Sequence, residues 1–141
     1  MSKMIFVNLA VADVPAATRF YEAIGFVKDD RFSNERGSGM RWSESIHVML
    51  LDREFYAAFT PKRIIDARTE SGVLLALSFD DRAAVDAITQ AALAAGGREL
   101  HDPEDEGYMY SRAFEDLDGH GWGPFTMDMA ATQAAHEGAA A

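Results

Sequence analysis

Residues 4–11, MIFVNLAV, alternate so that Phe6, Asn8 and Ala10 share one face while Ile5, Val7, Leu9 and Val11 share the other, which predicts a strand. Asp13 then stands at an N-cap position and Pro15 in a first helical turn, and Val14, Ala17, Phe20, Tyr21 and Ile24 recur at helical spacing until Gly25 stops the segment. Three short strands are expected next, at 26–32, 39–43 and 46–51, separated by polar or glycine-containing turns such as 33–38. The order is βαβββ.

From Val73 the pattern begins again. Residues 73–79 (VLLALSF) read as a strand, Asp81 as a cap, and Val85, Ile88, Ala92 and Leu93 as a helical stripe ending at Gly96-Gly97; strands follow at 98–101, 108–114 and 121–127. Superposing residues 11–13 on 79–81 pairs Phe6 with Leu74, Asn8 with Ala76 and Ala10 with Ser78. The expected organisation is one α+β domain over 1–128, with modules at about 4–52 and 72–128. The connector 53–71 carries Phe55, Phe59 and a Thr60-Pro61-Lys62 turn before Ile64-Ile65, and reads as a short helical link packed on the sheet. Residues 129–141 are alanine-rich without an apolar period, so a flexible tail or loosely docked helix is expected.

Composition narrows the function classes. A chain of 141 residues with 48% hydrophobic and 26% charged positions has the make-up of a folded domain with one core. Its apolar runs fall short of the roughly 18 residues that span a bilayer, and its first residues lack the pattern of a secretory signal. No membrane partner and a cytoplasmic location are expected. Without cysteine, neither a disulfide framework nor a thiolate metal site is available. A formal net charge of −10 opposes phosphate-backbone binding, so nucleic acid is not an expected partner.

The paired βαβββ order, Val11-Ala12-Asp13 followed by Arg19-Phe20-Tyr21 and Gly25-Phe26, and the closing Glu115-Asp116-Leu117-Asp118-Gly119-His120-Gly121-Trp122 together resemble the vicinal oxygen chelate superfamily. This is the glyoxalase, bleomycin-resistance and extradiol-dioxygenase group, and within it the chain is similar to predicted lactoylglutathione lyases. The resemblance spans about 4–128. It implies two modules forming an open barrel-like cup, a site on the inner strand faces, homodimers in many members, and in catalytic members a divalent metal held by His, Glu or Gln from the first and last strand of each module.

Carried onto this chain, those ligand positions fall on Phe6, Leu74, Gly123 and either His47 or Met49. Phenylalanine, leucine and glycine cannot coordinate a cation, and one imidazole is short of the three protein ligands a catalytic zinc usually has. No metal and no cofactor are expected. The expected ligand is a small organic molecule, in a pocket drawn from Phe6, Asn8, Trp42, Met49, Leu74, Tyr108, Tyr110 and Phe125. His47 reads either as a pocket acid, base or hydrogen-bond donor or as a strand histidine satisfied by neighbours. Each aromatic also fits core or interface. Trp122, between Gly121 and Gly123, should point away from the cup; His120 should close the Asp118-Gly119 turn; residues 102–106 should form a solvated hairpin tip. Three functions suit this pattern: a metal-independent small-molecule-binding protein, a sequestering protein for bleomycin-type antibiotics, and an enzyme. The enzyme reading is a metal-dependent lyase or dioxygenase, or metal-free chemistry with His47 as base.

Overall fold

The computed structural model describes residues 3–140. Their α+β architecture contains both expected modules and divides into two compact units. The first unit runs to Gly72 and takes in Asp116–His120. Its elements are β1 (Ile5–Val11), α1 (Val14–Ala23), β2 (Val27–Asn34), β3 (Gly37–Arg41), β4 (Ile46–Asp52) and α2 (Arg53–Ala57). The strands form one sheet in the order β1-β4-β3-β2, with β1 and β4 parallel and the other neighbours antiparallel.

Local chemistry accounts for the boundaries. The Asp13 carboxylate accepts from Ala16 N at 3.0 Å and starts α1, while Gly25, at φ +110°, turns the chain so that Phe26 N reaches Tyr21 O at 3.0 Å. The buried face of α1, Val14, Ala17, Thr18, Phe20 and Tyr21, packs on β3 and β4 above Met40, Val48 and Leu50. A 2.7 Å bond from Thr18 Oγ1 to Ser38 Oγ fixes the contact. The turn expected over 33–38 contracts to Glu35 and Arg36, because Asn34 Oδ1 accepts from Arg36 N at 2.8 Å and so frees the flanking polar residues to enter the ladder. In the connector, Asp52 caps α2 by accepting from Phe55 N at 2.7 Å; Ile64 and Ile65 are not helical, and their carbonyls accept from the Arg53 guanidinium at 3.3 Å.

The loop Asp116–His120 is tied into this unit at several points. Asp118 Oδ1 accepts from Ala12 N at 2.9 Å, His120 Nε2 donates to Ala10 O at 2.8 Å, and Arg68 Nη2 donates to Leu117 O at 2.9 Å. Asp116 is buried; it accepts from Tyr21 Oη at 2.5 Å and from the backbone N of Asp118 and His120 at 2.9 Å each. His120 therefore helps close the turn, as its position after Asp118-Gly119 implied.

The second unit holds Val73–Glu115 and the chain from Gly121 onward. It comprises β5 (Leu74–Ser78), α3 (Arg82–Ala94), β6 (Arg98–Glu99), β7 (Glu104–Asp105), β8 (Met109–Ser111), β9 (Phe114–Glu115), β10 (Gly121–Met127) and α4 (Met129–Ala140). Its sheet runs β6-β9-β10-β8-β7, with β5 parallel to β10. The strand expected at 98–101 shortens to β6, a further short strand, β7, forms within 102–106, and the strand expected at 108–114 is broken into β8 and β9. Pro103 has no N–H for a ladder, and Arg112 turns inward at the break between β8 and β9 to bind Glu99 at 2.8 Å and Asp86 at 3.1 Å. The acidic segment 102–106 is not wholly a solvated tip, since Asp105 pairs with Arg82 at 2.5 Å and the guanidinium brings its carboxyl down to about 2. Trp122 is buried on the face opposite Gly121 and Gly123. The alanine-rich tail forms α4, its start capped by Asp128, which accepts from Ala131 N at 3.0 Å. Among the described residues no helix is long and apolar enough to cross a membrane.

Candidate functional site

The sheet face of the first unit that α1 leaves open carries Phe6, Asn8 and Ala10 from β1, paired in register with His47, Met49 and Leu51 of β4, which in turn face Arg41, Gly39 and Gly37 of β3. α2 and the residues after it lie along this face. Together they enclose two adjoining hollows that share Asn8, Leu51 and Phe59. One, of about 310 Å³, is also walled by Phe32, Met49 and Phe55; the other, of about 270 Å³, by Tyr56 and Thr60. Asn8 is the amide between them, amid mostly hydrocarbon and aromatic surface, the usual composition of a small-molecule site.

Two glycines shape the larger hollow. A Cβ on Gly39 would lie 2.7 Å from Phe32 Cβ and 3.4 Å from Met49 Sδ, so the bare backbone there lets the Phe32 side chain lie across β3. A Cβ on Gly37 would meet Leu51 Cδ2 at 2.8 Å. Phe55 and Phe59 meet edge to face at 5.2 Å, and the Arg36 guanidinium sits 4.9 Å from the Phe55 ring.

His47 is fully buried at one end of this face. Its ring stacks on Phe6 at 4.6 Å with 10° between planes, and Phe32 stands edge-on to it at 5.8 Å. Nε2 faces the Glu44 carbonyl at 3.2 Å, whereas buried Nδ1 has no hydrogen-bond partner among the described residues.

Of the residues singled out from the sequence, the fold thus brings Phe6, Asn8, His47 and Met49 onto one face. Leu74, 73% exposed, and Phe125 share a face of the second sheet, by the register Leu74 to Gly121 and Ser78 to Phe125. The other three aromatics do not line these surfaces. Trp42 packs on Phe26 at 4.9 Å and beside Gly25, toward α1. Tyr110 donates to Asp86 of α3 at 2.6 Å and lies under Arg82, and the carboxylate raises its hydroxyl pKa. Tyr108 donates to Glu106 at 3.0 Å in the hairpin, which raises its pKa as well. The aromatic residues that sequence reasoning left out of the pocket are Phe32, Phe55, Tyr56 and Phe59. The signal for two of them was present: Phe55 and Phe59 are four apart in a segment beginning with a capping Asp52, a spacing that puts both rings on one side of a helical turn.

The strand registers also decide between His47 and Met49. Asn8 pairs with Met49 as Ala76 pairs with Gly123, while Phe6 pairs with His47 as Leu74 pairs with Gly121. Met49 is therefore the repeat equivalent of Gly123. The four positions at which the resemblance implies metal ligands are then Phe6, Met49, Leu74 and Gly123, a set with one soft thioether and no carboxylate, imidazole or amide. These residues do not fit a divalent metal, and no group of three or more His, Cys, Asp or Glu placed to hold one occurs among the described residues.

Comparison with known proteins agrees with the architecture. A family model described as the Glyoxalase/Bleomycin resistance protein/Dioxygenase superfamily matches residues 3–123. No match to a curated protein was found. Among solved structures, a hypothetical protein from S. aureus superposes with a TM-score of 0.76 at 23% identity, over 89% of this chain and 95% of that one. A glyoxalase/bleomycin resistance protein/dioxygenase family enzyme from Burkholderia phytofirmans gives 0.73 at 21% identity, over 90% and 100%. A glyoxalase-related enzyme from Fulvimarina pelagi gives 0.74 at 19% identity, over 89% and 88%. At these identities the likeness is one of fold.

Proposed function

Because the chain belongs to the glyoxalase/bleomycin resistance protein/dioxygenase superfamily, we propose that it is a metal-independent member whose first module binds a small organic molecule in the hollows around Asn8. One observation carries this reading: the open sheet face is walled by Phe32, Met49, Phe55 and Phe59 around Asn8, with Arg31, Ser33 and Asn34 also lining the larger hollow, while the positions at which the resemblance implies metal ligands are Phe6, Met49, Leu74 and Gly123. Such a surface binds by burying an apolar or aromatic ligand and orienting it with a few polar contacts. The metal-dependent lyase and dioxygenase reactions implied by the resemblance polarise substrate oxygens with a cation, and these side chains are poorly suited to hold one. A cytoplasmic homodimer is the proposed form; Leu74 and its exposed neighbour Val73 offer apolar surface for self-association.

The test is metal content after purification without an affinity tag, with thermal shifts on adding Zn, Ni, Mn, Fe or EDTA. Substoichiometric metal and an unmoved Tm are expected. A near-equimolar metal whose removal by EDTA lowers Tm would overturn the proposal and restore the metal-dependent lyase or dioxygenase. The net charge of −10 favours a second reading, capture of a cationic bleomycin-type antibiotic by the aromatic wall. In that case bleomycin raises Tm at concentrations above micromolar, and an unchanged Tm excludes it.

A further inference from the structure

The unpartnered nitrogen of His47 reaches beyond that reading. A carbonyl can only accept, so the contact from Nε2 to Glu44 O at 3.2 Å places the ring proton on Nε2 and leaves a lone pair on Nδ1. That lone pair is buried without a donor, a state native interiors seldom tolerate without a reason. Phe32 both touches the His47 ring and lines the hollow. Centroid separations of 4.6 Å for Phe6–His47, 5.2 Å for Phe6–Phe32 and 5.8 Å for Phe32–His47 put Phe32 beside the stacked pair, against its ring edges, and not above or below it.

Outside these rings, Phe32 is also held by the Arg31 guanidinium, 5.3 Å from its ring centroid. It lies in the stretch of β2, between Asp29 and Asn34, where the register with β3 shifts. Beneath it is Gly39, which has no side chain to grip the ring. Phe32 remains 37% exposed and lines the same hollow as Asn8 and Met49.

We propose that Phe32 is a replaceable cover and that the ligand class is planar aromatic molecules bearing an N–H or O–H donor. Such a molecule enters the hollow, takes the place of the Phe32 ring beside the Phe6–His47 stack and donates to His47 Nδ1, with Asn8 along its other edge. His47 then sets specificity by rejecting planar ligands without a donor, since their binding leaves the buried lone pair unmet. This rests on the hollow being the ligand site.

Indole and 1-methylindole provide the probe pair, being planar bicycles of which only the first has an N–H. Each is titrated into protein carrying ¹⁵N in histidine and asparagine side chains, with the His47 Nδ1 and Asn8 amide resonances followed by NMR. The expected result is a free Nδ1 resonance characteristic of an unbonded lone pair, Asn8 shifts with both probes, an Nδ1 shift with indole alone, and indole binding about 5-fold tighter or more. Phe32→Leu, which keeps the site apolar with a smaller cover, should tighten indole further. Asn8 shifts without any Nδ1 shift would overturn the cover and leave the hollow as the site. A free Nδ1 resonance already in the hydrogen-bonded range would also overturn it, by revealing a trapped water. Absence of Asn8 shifts with both probes would defeat the hollow and the inference together.

Discussion

Asp116→Ala is expected to lower the free energy of unfolding by about 3–5 kcal/mol, because it strips the acceptor from three donors at once in a buried place. The donors are Tyr21 Oη and the backbone N–H groups of Asp118 and His120. Tyr21→Phe removes only the hydroxyl and should cost about 1–3 kcal/mol. Asp116→Asn should be close to neutral or stabilising at pH 7. Its carbonyl can keep the two backbone bonds, its amide can donate to Tyr21 Oη, and it carries no charge to desolvate. The pH dependence follows from the same burial. Desolvation raises the Asp116 pKa above its ordinary value, outweighing the His120 charge and the hydrogen bonds that lower it. A folded state that holds its proton more tightly than the unfolded chain is favoured by this group below the unfolded pKa, and that contribution is lost as pH rises through the folded pKa. The advantage of Asn over Asp should therefore shrink on going from pH 7 toward pH 4. Urea titrations of the wild type and the three variants at both pH values read all of this; an Asp116→Asn protein destabilised as much as Asp116→Ala would show that the charge itself is needed.

Gly119→Ala is the second large effect, with an expected loss of about 3–5 kcal/mol from backbone strain and steric overlap together. Gly119 has φ +96°, and a Cβ there would lie 2.6 Å from Arg68 N and 2.7 Å from Ala67 C and O. These are main-chain atoms that no rotamer change can move, so relief requires the loop to separate from residues 67–68 and strains the Arg68 bond to Leu117 O. Gly107→Ala is the matched control. Gly107 has φ +82° but nothing within 4 Å of its Cβ position, so only the conformational term of about 1–2 kcal/mol applies. Equal losses at both positions would show that close approach to residues 67–68 contributes nothing.

These two residues mark where reading along the chain reaches its limit. Asp116 and Gly119 lie in the segment that carried the family resemblance, yet their importance comes from Tyr21, Ala67 and Arg68, which are distant in sequence. The same distinction separates the predicted pocket residues that meet from those that do not. Alternation showed that Phe6 and Asn8 share a face, because side-chain direction alternates within any strand. It could not say that Tyr110 faces α3 while Phe125 faces away, since the antiparallel register opposing Phe125 to Ser111 puts Tyr110 on the other side.

By itself the sequence determined the two βαβββ modules, the caps at Asp13 and Asp81, the acidic charge and the missing donors at Phe6, Leu74 and Gly123. Each is a property of residue type and local spacing, and neither packing nor register can add a ligand atom to a hydrocarbon side chain. Only the tertiary structure decided that Met49 and not His47 is the repeat equivalent of Gly123, that His47 is buried in contact with Phe6 and Phe32, and that the wall of the hollow is completed by Phe55 and Phe59. Those facts depend on which strand lies beside which, at what register, and on two glycines whose absent side chains matter only once Phe32 and Leu51 are brought against them.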